Sequence, residues 1–101
     1  MSEYLTVTEA NCVPLDRGLS VKVAGRELAI FNVDGSFYAL DGVCPHRGGL
    51  LGQGFTQSER VYCPMHGWEF NVKTGACIDY PNKSVSCYPV QVEDGQVLVH
   101  I

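Results

Sequence analysis

The sequence predicts an all-β protein of one domain: an antiparallel sandwich or barrel-like base, with strands drawn from both ends of the chain. Three observations predict it. β-Branched, aromatic and other apolar residues come in short runs broken by Gly, Asp, Asn and Pro. No stretch of ten or more residues carries a 3.6-residue apolar period. The 101 residues hold no Pro/Ser-rich linker, internal repeat or low-complexity tract, so they form one domain, 1–101, with a modest core.

The elements follow in order. Leu19–Val23 alternates and runs into a turn at Ala24-Gly25-Arg26, with Glu27–Val33 as its partner. Asp34-Gly35 is a strong hairpin signal, and Phe37–Leu40 returns from it. The stretch 53–60 is polar and is expected to hold one helical turn. Val61-Tyr62 leads into a motif discussed below, and Trp68–Val72 is a short strand closed by Lys73-Thr74-Gly75. Val85–Val92 and Val97–Ile101 are expected to form a last hairpin around Glu93-Asp94-Gly95. The segment from about 42 to 82 reads as an insertion on the β base.

Charge narrows the function. A net charge of −4 and a pI near 5.1 argue against a nucleic-acid partner, which wants a basic face. No run approaches the roughly 20 apolar residues of a membrane-spanning helix. Met1-Ser2-Glu3-Tyr4 lacks the basic region and apolar run of a signal peptide, so the cytoplasm is the expected compartment. Five cysteines, an odd number, make a poor disulfide framework. Cys77 and Cys87 are close enough in sequence for a bridge, but Cys12, Cys77 and Cys87 read most simply as buried small hydrophobes. His100 reads as a surface residue of the last strand.

Two motifs remain: Cys44-Pro45-His46 and Cys63-Pro64-Met65-His66, with sixteen residues between His46 and Cys63. Each offers one thiolate and one imidazole. A [2Fe–2S] centre held by two Cys on one iron and two His on the other needs this donor set. Glycines 48, 49, 52 and 54 follow the first motif and Gly67 the second, where they let the backbone come close to sulfur and adopt positive φ. Zinc remains an alternative, since four Cys/His ligands bind it tetrahedrally, although zinc modules usually pair like with like as C-x₂₋₄-C and H-x₃₋₅-H. A nucleophilic Cys with a His base would leave the second motif unexplained. There is no Gly-rich dinucleotide motif and no catalytic constellation, so the chain is not expected to be an enzyme alone.

The run Cys44-Pro45-His46-Arg47-Gly48-Gly49, through Cys63-Pro64-Met65-His66-Gly67-Trp68-Glu69-Phe70 to Thr74-Gly75, resembles the Rieske-type ferredoxins. Within them it is most similar to soluble ferredoxins and to the small-subunit type of NAD(P)H-dependent nitrite reductase. The resemblance implies a Rieske-like antiparallel β-sandwich with a small cluster-binding subdomain. It implies one Rieske [2Fe–2S] cluster, with Cys44 and Cys63 on the inner iron and His46 and His66 on the outer. The implied role is electron transfer from an NAD(P)H-dependent flavoprotein reductase to a terminal oxygenase or nitrite reductase. Leu50, Leu51 and Met65 would form an apolar collar at the exposed end. Tyr80-Pro81-Asn82 falls where the family has a proline-containing loop over the cluster.

Departures from the respiratory members bear on tuning. Their additional disulfide cysteines correspond here to Gly49 and Met65, so that bridge is absent. Their Ser and Tyr hydroxyls near the sulfurs correspond to Trp68 and Phe70, which have none. With fewer hydrogen bonds to sulfur, the more negative reduced cluster is less stabilised. An anaerobic redox titration is therefore expected to give a midpoint of roughly −150 to 0 mV, at the low end of the Rieske range. A midpoint well above about +150 mV would contradict this tuning argument.

Overall fold

A computed structural model describes residues 4–45, 48–65 and 67–101. Ten strands are present among them: β1 Tyr4–Glu9, β2 Arg17–Val23, β3 Arg26–Val33, β4 Ser36–Asp41, β5 Phe55–Gln57, β6 Arg60–Tyr62, β7 Glu69–Asn71, β8 Cys87–Tyr88, β9 Val90–Glu93 and β10 Gln96–His100. They form three sheets, ordered β1-β10-β9, β2-β3-β4-β8 and β5-β6-β7. Every pairing between these strands is antiparallel.

The sequence Leu28-Ala29-Ile30-Phe31 on β3 explains the layering. All four side chains are fully buried, as in a strand covered on both faces. Strand geometry sends alternate residues to opposite sides. Leu28 and Ile30, with Ala39 of β4, pack against Val97 and Val99 of β10. Ala29 and Phe31, with Leu40 of β4, face the other way and meet Val61 of β6 and Phe70 of β7. The four-stranded sheet is therefore the middle layer. Its second face carries the core that also contains Cys44 and Cys63. Each large side chain buried there, Phe31, Leu40 and Phe70 among them, contributes about 1.5–3 kcal/mol.

Three hairpin turns are where the glycines place them. Ala24-Gly25, Asp34-Gly35 and Asp94-Gly95 each have positive φ at both residues, the twist that a two-residue hairpin turn demands. Strand bounds differ from the sequence expectation by a residue or two. β1 is the strand whose bounds the sequence leaves unmarked; it pairs with β10 through an irregularity between Thr6 and Thr8.

Several expectations are corrected. The stretch 53–60 is mainly a hairpin: a 3-10 turn at Leu51–Gln53 ends as β5 begins, and Phe55 pairs with Tyr62. Val85–Val92 is not one strand. Pro89 separates β8, which pairs with β4, from β9, which pairs with β10. Proline has no N–H for the ladder, so the chain changes sheets there. Cys12 and Cys87 are exposed and only Cys77 of that trio is buried; no disulfide joins Cys77 to Cys87. His100 is not a plain surface residue. It is half-buried, its ring lies 5.3 Å from that of Tyr4, and its Nε2 is buried with no hydrogen-bond partner among the described residues. No helix among the described residues is long and apolar enough to cross a membrane.

Candidate metal centre

The two Cys/His motifs fold into loops on one frame. In the first, Cys44 N–H donates to Gly49 O at 2.8 Å and Gly48 N–H donates to Cys44 O at 2.9 Å. In the second, Cys63 N–H donates to Trp68 O at 2.8 Å and Gly67 N–H donates to Cys63 O at 2.9 Å. Gly48 and Gly67 have φ of 74° and 76°, a left-handed conformation that costs a side chain but not glycine. Each loop closes on an antiparallel pair of flanking residues, Val43 with Leu50 and Tyr62 with Glu69. Both motifs are thus Cys-Pro-x-x-Gly loops, with histidine third in one and fourth in the other. The unequal spacing seen in the sequence is a difference of position on a shared frame, not of loop length. His46 and His66, with Arg47, lie outside the described residues.

The loops converge. Cys44 and Cys63 are buried in one core with Leu51, Val61, Phe70, Val72 and Cys77. A Cβ placed on Gly49 of the first loop would lie 2.6 Å from Met65 Cγ and 3.0 Å from Cys63 Sγ of the second. The loop faces therefore touch, and only a glycine fits at that contact. Pro45, Pro64 and Met65 are exposed, Met65 by 54%, so the two thiols sit in dry surroundings directly beneath a solvent-facing tip. Paired soft sulfur donors, beside sequence positions that offer imidazoles, suit an iron–sulfur cluster. Among the described residues, no group of three or more His, Cys, Asp or Glu side chains is arranged to hold a metal; the two cysteines are the described part of the expected donor set.

The stem of the first loop is pinned to the middle sheet. Gly42 N–H donates to Glu27 O at 2.8 Å, and Leu51 N–H donates to Gly42 O at 2.8 Å. Asp41 accepts from Tyr88 O–H at 2.5 Å and from Ser86 N–H at 3.2 Å. Burial, and then the bond to and charge of Asp41, push the Tyr88 phenol above its ordinary range. The second loop is simply the connection between β6 and β7. An ion pair of Arg60 with Glu69 ties those two strands together.

Residues 3–89 match the family model of the Rieske [2Fe–2S] domain. The chain belongs to that family. It is 34% identical to the ferredoxin component of the naphthalene 1,2-dioxygenase/salicylate 5-hydroxylase systems of a Ralstonia species, over 86% of this chain and 85% of the relative. A ferredoxin structure from Sphingomonas yanoikuyae B1 superposes with a TM-score of 0.89 at 30% identity, covering 98% of this chain and 99% of that one. A Mycobacterium tuberculosis protein assigned as an NADH-dependent nitrite reductase small subunit superposes with a TM-score of 0.90 at 27% identity, covering 100% and 96%. The family's cofactor is thereby shown to be a Rieske-type [2Fe–2S] cluster for this chain as well.

The expected apolar collar needs correction. Leu51 is fully buried in the core, and Leu50 is half-buried in the pair with Val43; Met65 alone of the three is exposed at the tip. Tyr80-Pro81-Asn82 lies at the start of a 3-10 turn, Pro81–Lys83, and the Tyr80 ring stacks on Trp68. The contact of Gly49 with Met65 agrees with their correspondence to the bridged cysteines of the respiratory members, while the approach of Gly49 to Cys63 had no signal but the second glycine of the Gly48-Gly49 pair, one more than the turn itself requires.

Overpacking that contact is expected to cost about 1–3 kcal/mol. Gly49→Ala should lower stability by that order in urea denaturation and lower the iron bound per chain. Adding Met65→Ala should recover part of both, because the Met65 side chain gives the closest approach. A Gly49→Ala protein with wild-type stability and iron content would show that the loops do not meet there.

Proposed function

We propose that the protein is a one-electron carrier in which Cys44 and Cys63 hold one iron, and His46 and His66 the other, of a single [2Fe–2S] cluster. It takes electrons from an NAD(P)H-dependent flavoprotein reductase and delivers them one at a time to a terminal oxygenase. In each transfer the donor is oxidised by one electron and the acceptor reduced by one. The observation that carries this reading is the convergence of two matching Cys-Pro-x-x-Gly loops on one dry core beneath an exposed tip. The Ralstonia relative, a ferredoxin component of a dioxygenase system, supports the oxygenase as acceptor.

When bound, the cluster supplies a site that gains and loses one electron with little change in geometry. The chain's own residues hold it and control its surroundings. The two loops fix the thiolates, the core of Phe31, Leu51, Val61 and Phe70 keeps water from their inner side, and the exposed tip leaves a short route to a partner. The net charge of −4 favours partners with basic docking patches. We read residues from about 42 to 82 as the cluster-bearing insertion of a single domain. The proposed compartment is the cytoplasm, where thiols stay reduced; the unbridged Cys12, Cys77 and Cys87 support it.

A second reading is the small subunit of an assimilatory nitrite reductase, or a homologue of it. The Mycobacterium tuberculosis neighbour and the sequence Gly67-Trp68-Glu69-Phe70 favour it. Pull-down with each candidate acceptor separates the two.

Anaerobically purified protein is expected to contain two irons and two acid-labile sulfides per chain and to take up one electron per chain. Cys44→Ser and Cys63→Ser should abolish the visible spectrum, while Cys12→Ser, at an exposed site outside the loops, should leave it intact. Zinc in place of iron would remove the carrier reading and leave a structural binding module.

A further inference from the structure

The strand that leads into the first ligand loop ends on a carboxylate held by a different segment of the chain. Asp41 is the last residue of β4, and Tyr88 O–H donates to its Oδ1 at 2.5 Å. Ser86 N–H donates to its Oδ2 at 3.2 Å, and Asp41 N–H donates to Ser86 O at 2.9 Å. Burial first, and then Asp41, push the Tyr88 phenol above its ordinary range, while the Arg26 guanidinium beside it acts the other way. The next residue, Gly42, lies tight against β3. Its N–H donates to Glu27 O at 2.8 Å, and a Cβ there would lie 2.9 Å from the Leu28 carbonyl carbon. Cys44 follows two residues later, so its Cα is within about 11 Å of that of Asp41 whatever course the chain takes between them.

Both bonds to this carboxylate come from neutral groups. The ion pairs among the described residues join Arg60 to Glu69 and Lys73 to Glu59. The acid that flanks the second ligand loop, Glu69, is therefore neutralised by a cation in contact, and Asp41 is not. We propose that Asp41 is a potential-setting residue: its carboxylate is a fixed negative charge at the base of the first ligand loop that opposes uptake of an electron and so lowers the midpoint of the cluster. This rests on the proposed function above. The reduced cluster carries one more negative charge than the oxidised one, and a fixed anion nearby disfavours that charge. Asp41 is half-buried, which limits its screening by salt. Removing the anion must raise the midpoint, and removing the nearby cation of Arg26 must lower it.

The test is an anaerobic redox titration of full-length holoprotein at low salt. Asp41→Asn, which keeps an acceptor for Tyr88 and Ser86, is expected to raise the midpoint. Arg26→Gln, at an exposed turn residue, is expected to shift it the opposite way and by less, and it serves where Asp41→Asn does not fold. Two controls isolate charge at the loop base from other causes. Asp34→Asn removes the same charge beyond the other end of β4, where asparagine accepts the φ of 53°, and should leave the midpoint at the wild-type value. Tyr88→Phe keeps the charge and loses a bond, so it should lower stability in urea without raising the midpoint. Wild-type midpoints in both Asp41→Asn and Arg26→Gln would overturn the proposal and leave the carrier reading intact. So would a rise in Asp34→Asn or Tyr88→Phe equal to that in Asp41→Asn. Wild-type protein with no titratable iron centre would instead sink the carrier reading, and the proposal with it.

Discussion

Two thiols far apart in the chain must meet in a dry place that still lies close to solvent, and the architecture follows from that requirement. A strand covered on both faces makes it possible. Leu28 and Ile30 on β3 are used to seal the base, which leaves Ala29 and Phe31 to build a second core on the opposite face. Cys44 and Cys63 enter that second core from loops pinned at both ends by antiparallel pairs. Without the middle sheet, the two loops would be exposed turns with nothing to hold their sulfurs together.

The loops repeat one design. Each spends a backbone N–H of its cysteine on closing the turn and places a glycine in the left-handed region four residues later. Besides the place of the histidine, the two depart from each other at the residue after that glycine. Gly49 closes the first loop and is packed against Met65 and Cys63, while Trp68 closes the second and carries the stack with Tyr80. The first loop therefore ends in a close backbone approach and the second in an aromatic contact. Phe70, fully buried in the same core, supplies packing there and no hydrogen-bond donor.

Much of this was legible in the sequence because local rules agreed with the fold. Asp34-Gly35, Ala24-Gly25 and Asp94-Gly95 marked their hairpins through the positive φ that each turn needs. Cys44 and Cys63 were legible from the motifs, and the structure brings them together; His46 and His66 rest on the motifs and lie outside the described residues. What was not legible depended on long-range packing. The polarity of 53–60 hid a hairpin whose strand β5 is short and largely exposed. Pro89 signalled a break but not that β8 and β9 would join different sheets. Cys12 and Cys87 are exposed because each lies on the periphery of the fold, a fact that residue type alone does not encode. The contacts of Asp79 with Glu69 and of Tyr80 with Trp68 were not legible, although Tyr80-Pro81-Asn82 was marked as a loop near the site.

The central claim is that two histidines and two cysteines share one cluster. Pulsed EPR of the dithionite-reduced protein, grown with ¹⁵N-histidine, tests it most directly. The account predicts a low average g and two strongly coupled imidazole nitrogens that change isotope with the label. A signal with no coupled histidine nitrogen, or none at all from iron-loaded protein, would contradict it.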